Sequence, residues 1–227
     1  DGQRLTTKAP HLNQQDAGPS PMSEPLVGHR ERRRAVTNRD KTSIMNTLER
    51  KLLPIARKWA GNIPTWEVRK AGIDPSAVRH WAQNNPHVIH PERGIYVWID
   101  PELDFDWENS DTARCVAQGG SDAYLWGPSV LELMELGEVG EYYTYVAIPT
   151  RRRPRERIRW VGERDTRRAY YRNLPVQPLD KALRVSMPML DPRKQASALD
   201  AVERQHPQYA SLVATLAKEY GFDRKDE

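Results

Sequence analysis

The stretch "TWEVRKAGIDPSAVRHWAQ", Thr65 to Gln83, stops one helix and starts another between Gly72 and Pro75. A glycine there supplies the left-handed position that ends a helix. Asp74 is a favoured N-cap residue, and Pro75 falls at the first helical position, where its fixed φ helps and its missing N–H costs nothing. Two short helices must therefore meet at a sharp turn. The first, with Thr65 as its expected N-cap, carries Trp66, Val68 and Ala71; the second carries Val78, Trp81 and Ala82 on one face, spaced three and four apart.

The flanks narrow the fold further. Upstream, Leu48, Leu52, Ile55 and Trp59 recur at helical spacing, with Pro54 expected to perturb that helix and Gly61 to close it. Downstream, "HVIHPERGIYVWI" reads as two β-runs, His87 to His90 and Ile95 to Ile99, joined by a turn over Pro91, Glu92, Arg93 and Gly94. Helix, helix, turn, helix, hairpin is the order of a winged helix-turn-helix, expected over residues 45–100.

In that arrangement the second helix of the pair enters the major groove and the preceding one, headed by Thr65, lies across the backbone. The outward side chains Ser76, Arg79, His80 and Gln83 are then the groove-facing set. Arg79 suits a guanine edge or a phosphate, and Gln83 an adenine. Arg93, at the hairpin tip, can reach a phosphate or the minor groove. The alternative for the same polar face is a solvated surface used for protein contacts.

Charge favours the first reading. The 227-residue chain has a formal net charge of +4 and a sequence pI near 9.2, which attracts polyanions. Much of this charge sits in "TRRRPRERIRWVGERDTRRAYYR", where Arg151, Arg152, Arg153, Arg155 and Arg157 are the expected phosphate anchors. Residues 1–44 are polar, proline-punctuated and rich in arginine near their end, and are expected to form a basic extension that does not fold by itself. Cys115 is the one cysteine, so an intramolecular disulfide is excluded, as is a multi-cysteine zinc site within one chain. No run approaches the roughly 20 apolar residues of a membrane span, and a cytoplasmic protein with no membrane partner is expected.

After the hairpin, "PELDFDWENS" is acidic and aperiodic and is expected to link two domains over residues 101–110. Residues 111–227 mix helical and β patterns. "DTARCVAQ" is a helix stopped at Gly119, "PSVLELMEL" an amphipathic helix, and "EYYTYVAIPT" a strand followed by an Arg-rich hairpin. "NLPVQPLDKALRVSM" is a strand and helix, and two helices follow, Pro192 to Gln205 and Pro207 to Tyr220. The fold class expected is α+β, an N-terminal winged helix-turn-helix followed by a mixed C-terminal domain.

Enzymatic readings fare worse. "GGSDAYLW" has the Gly-Ser opening of a nucleotidyltransferase, but Glu132 and Glu135 have the wrong spacing for a strand-borne, magnesium-holding pair. His80, His87 and His90 lie on different elements without an acidic or thiol ligand at a fitting spacing. No enzyme activity, cofactor or metal is expected.

A helix-turn-helix hairpin ending in "GIYVW", then "AYLWGPSVLELMEL", the β-run "YVAIP" and "LPVQPLDKAL" together resemble the AbiEi family of antitoxins from bacterial type IV toxin–antitoxin systems, from about Met45 to Met187. The chain departs from the family pattern at Ser129-Val130-Leu131 and across Gln177 to Leu183. The resemblance implies a repressor whose N-terminal domain recognises inverted repeats in its own promoter. It implies a C-terminal domain that serves neutralisation of a nucleotidyltransferase-like toxin, met directly or only functionally, and arranges repressors on DNA, compatible with a monomer that binds cooperatively. Two readings stay open beside it: a winged-helix transcription regulator with an unrelated sensor or oligomerisation domain, and a protein-interaction module whose basic hairpin binds RNA.

Overall fold

In the computed structural model the described residues are 45–163, 165 and 167–222. The expectation for residues 1–44 lies outside them. Asn46 opens helix α1 (Thr47–Lys58) with a capping box: its side chain accepts from the Glu49 N–H, and the Glu49 carboxylate accepts from the Asn46 N–H. The helix runs on through Pro54, whose exposed side makes the missing N–H tolerable. Strand β1 (Asn62–Pro64) follows, then α2 (Thr65–Lys70), the turn at Gly72 with φ +68°, and α3 (Pro75–Asn84), capped by Asp74. Strands β2 (Val88–Glu92) and β3 (Ile95–Trp98) complete a three-stranded antiparallel sheet in the order β1-β3-β2.

Thr65 does not cap its helix. Pro64 occupies that position without a side-chain bond. The Thr65 N–H and hydroxyl both donate to the carbonyl of Gly94, at 2.8 and 3.1 Å, so the residue ties α2 to the tip of the β2–β3 hairpin.

Residues 101–110, expected to be a linker, carry Leu103 and Phe105 into the interior. Phe105 meets Trp98 at a centroid distance of 6.2 Å and Trp107 at 5.3 Å. Trp107 in turn lies over Gly61, where a Cβ would come within 2.8 Å of the indole. Just beyond, the buried Asn62 side chain donates to the Ser110 carbonyl at 2.9 Å.

Helix α4 (Ser110–Gly119) leads into a five-stranded mixed sheet of β4 (Tyr124–Leu125), β5 (Thr144–Ile148), β6 (Ile158–Gly162), β7 (Ala169–Tyr171) and β8 (Leu174–Val176), in the order β6-β5-β4-β8-β7. Helices α5 (Pro128–Leu133) and α6 (Leu179–Ser186) send Val130, Leu133 and Ala182 into the core under this sheet, and α7 (Pro192–Gln205) and α8 (Ala210–Glu219) pack on their other side in a second cluster. The class is α+β, with eight α-helices and two sheets among the described residues.

Two departures from expectation have local causes. Helix α5 stops at Leu133 instead of reaching Leu136, because Glu135 (φ +56°) and Gly137 (φ +87°) turn the chain away. A Cβ on Gly137 would lie 2.7 Å from the backbone of Ser197 and Ala198, so α7 approaches as closely as glycine permits. The Arg-rich segment is no hairpin: β5 and β6 are parallel, and the connection from Pro149 to Arg157 runs back along the strand before β6 begins.

One buried cluster runs without a break from Leu52, Trp59 and Trp98 through Leu103 and Phe105 to Val146, Ile158 and Val176; a second joins Leu131, Leu183, Met187, Leu199, Val202 and Leu216. Each large apolar side chain so buried contributes about 1.5–3 kcal/mol. All described residues fall in one compact unit, and no helix among them is long and apolar enough to cross a membrane.

Candidate nucleic-acid interface

Helix α3 divides as its sequence requires. Val78 is fully buried and Trp81 nearly so, the latter edge-on to Trp98 at 5.1 Å, while Ser76, Arg79, His80 and Gln83 are exposed. At the helix start Asp74 accepts from the Ser76 N–H at 2.9 Å. At its end the Asn84 amide donates to the His80 carbonyl at 2.8 Å and lies 3.4–3.5 Å from the ring nitrogens of His80. No side-chain hydrogen bond or ion pair engages Arg79 or Gln83 among the described residues, so both are free to meet a ligand.

Arg79 and Gln83 line a concavity of about 220 Å³ together with Ala82, Val88, Ile89, His90 and Tyr96. The His90 ring stacks on Tyr96 at 4.7 Å with an interplanar angle of 24°, and Ile89 is 45% exposed. These strand residues were not expected at the site. The signal that marks them is an exposed isoleucine in a strand that pairs on one side only, where an outward polar residue is the norm.

At the hairpin tip Arg93 is exposed and without a side-chain partner among the described residues, while its neighbour Glu92 is heavily engaged. The Glu92 carboxylate accepts from Gln118 Nε2 at 2.5 Å and from Arg155 at 2.6 Å, with Arg114 3.7 Å away. These interactions bring the 149–157 connection alongside the hairpin.

The arginines of that connection divide in two. Arg152 donates to the carbonyls of Gln118 and Gly119 at 2.6 and 2.9 Å, satisfying the C-terminal end of α4, and lies over the Trp160 ring. Arg155 is bound to Glu92. Arg151 and Arg153 are exposed and their side chains make no hydrogen bond or ion pair among the described residues, while the Arg153 carbonyl accepts from Trp160 Nε1 at 2.9 Å, so the backbone there is held. Arg157 lies over Tyr142, and Arg159 over Tyr143 at 3.7 Å. Arg168 and Arg172 are paired with carboxylates, Arg168 with Asp122 and Arg172 with Glu108 and Glu135.

The expected groove-facing set therefore shares one exposed face of α3, with Arg93, Arg151 and Arg153 as uncommitted cations. Thr65, Arg152 and Arg155 have structural partners that hold the surface together. No protein-family model matches this chain, and no curated protein matches it.

Proposed function

We propose that the chain is a winged helix-turn-helix DNA-binding protein that represses its own operon by reading inverted repeats in the promoter, and that it counteracts a nucleotidyltransferase-like toxin. The observation that carries the DNA reading is the exposed row Ser76, Arg79, His80 and Gln83 on α3, with Arg79 and Gln83 uncommitted, beside a hairpin that ends in Arg93. Helix α3 serves as the reading helix, α2 as the helix across the backbone, and β2–β3 as the wing. Arg79 and Gln83 carry the base contacts, and Arg93, Arg151, Arg153 and Arg157 the phosphate contacts.

The antitoxin part rests on the resemblance to the AbiEi family over about Met45 to Met187. The test of the whole is a mobility-shift titration with the DNA upstream of the chain's own reading frame, a scrambled duplex and two salt concentrations. Selective, salt-steep shifts support autorepression; binding indifferent to sequence refutes it. Co-expression with the product of the adjacent gene tests the antitoxin part separately, and a neighbour that is harmless when expressed alone removes it.

A further inference from the structure

Among the described residues, the Glu92 carboxylate is where the wing, α4 and the 149–157 connection converge. Its side chain is 18% exposed and takes a hydrogen bond from Gln118, a charge-assisted one from Arg155 and the nearby charge of Arg114. Neighbouring bonds hold the same connection from behind: Arg152 on the end of α4 and Trp160 on the Arg153 carbonyl. An arginine-rich loop left to itself would repel itself and sample many conformations, and ordering it on a ligand would cost affinity.

We infer that Glu92 latches the 149–157 connection to the wing so that Arg93, Arg151 and Arg153 form one preformed surface for the phosphates of duplex DNA flanking the groove read by α3. The inference rests on the DNA-binding reading above. Arg153 lies two residues from the latched Arg155, within about 7 Å along the chain, and Arg93 is adjacent to Glu92 itself. Ile89, beside the reading face, and Glu92 pair with Val97 and Ile95, which are two residues apart on β3, with a bulge between them on β2, so they lie about 7 Å apart along the hairpin. The latched loop therefore lies alongside the end of the hairpin whose strand β2 borders the reading face. Duplex DNA carries one charge per about 1.7 Å of axis, so several phosphates pass such a surface. Glu92 is a positioning residue: it touches no phosphate, and acts by holding the arginines that do.

The sign of the effect separates this role from plain electrostatics. Removing a carboxylate beside a DNA-binding face raises the positive potential, and Coulomb attraction alone makes Glu92→Ala bind tighter. The latch requires the opposite.

The experiment measures Kd against salt for the full chain, using a duplex enriched from a random pool on the wild-type protein and an unselected duplex. Glu92→Ala is expected to weaken binding several-fold and to flatten the slope of log affinity against log salt by about 0.9 for each phosphate that is no longer neutralised. The pair R151A/R153A, on exposed positions, should reproduce that flattening. Combining Glu92→Ala with the pair should flatten the slope no further, and Glu92→Gln, which still accepts hydrogen bonds, should recover most of the affinity. Glu92→Ala binding as tightly as wild type or tighter, or slope changes that add, overturns the latch. A wild type from which the pool enriches nothing, and which binds no duplex at low salt, overturns the DNA-binding reading and the latch with it.

Discussion

Trp81 donates its indole N–H to Glu49 at 3.0 Å, joining the inner face of α3 to the first turn of α1. The other carboxylate oxygen of Glu49 accepts from the Asn46 N–H, so one side chain closes the α1 capping box and fixes the tryptophan on which α3 sits. Glu49→Ala removes both bonds and strands a largely buried indole donor. The expected cost is about 1–3 kcal/mol of stability, read as a lower denaturant midpoint at unchanged m-value. Glu49→Gln, which keeps an acceptor for Trp81, should lose less.

On the proposed reading, Arg79→Ala weakens binding to the selected duplex by about 1–3 kcal/mol if the contact is bidentate to a base. Binding to a scrambled duplex should change far less. Paired titrations of wild type and variant decide it, and an equal weakening on both duplexes would reassign Arg79 to phosphate binding.

Gly137→Ala places a methyl group 2.7 Å from the α7 backbone at a residue whose φ is +87°. Neither strain can be relieved by turning a side chain, so α7 must shift, at a cost of about 1–3 kcal/mol. Hydrogen exchange should show α7 and α8 losing protection before α1 to α3. Gly140→Ala, with nothing within 4 Å of the added Cβ but φ also positive at +48°, separates backbone strain from the close approach.

Tyr124 is buried beside Glu163, and burial first, then that carboxylate, push its pKa up to about 12 from an ordinary value of 10.0. The fold favours the neutral phenol. Its contribution is therefore complete below about pH 10 and is lost as pH rises from about 10 towards about 12. Urea midpoints of wild type and Tyr124→Phe should differ by a constant amount up to about pH 9 and shift in favour of the phenylalanine variant by about pH 11. A gap that does not change over that range would show that Tyr124 does not govern the alkaline loss.

The parts of the fold that could be read from sequence are those fixed by residues close together in it. Gly72, Asp74 and Pro75 determine the α2–α3 turn locally, and their geometry is as expected, as is that of α7, which starts at Pro192 and ends at Gln205. Strands β1, β4 and β7 are two or three residues long, too short to show a period, and they exist through pairing with distant partners. Thr65 has the chemistry of a cap, yet the Gly94 carbonyl, brought close by the β1–β3 pairing, wins its hydroxyl. The composition of the basic segment revealed its charge but not which arginines are uncommitted. Arg155 is set by Glu92, 63 residues away, and Arg152 by the end of α4; neither partner has a sequence signature.

The unbroken core from Trp59 across Leu103 and Phe105 to Val176 has a consequence for anything that touches both ends of the molecule. With Leu103 and Phe105 anchoring the 101–110 segment in the interior, there is no slack joint between the three-stranded and five-stranded sheets. The separation between the exposed face of α3 and the loops of the larger sheet is a fixed span, like the jaws of a set calliper. A ligand that meets both must already have that spacing, or bend to acquire it.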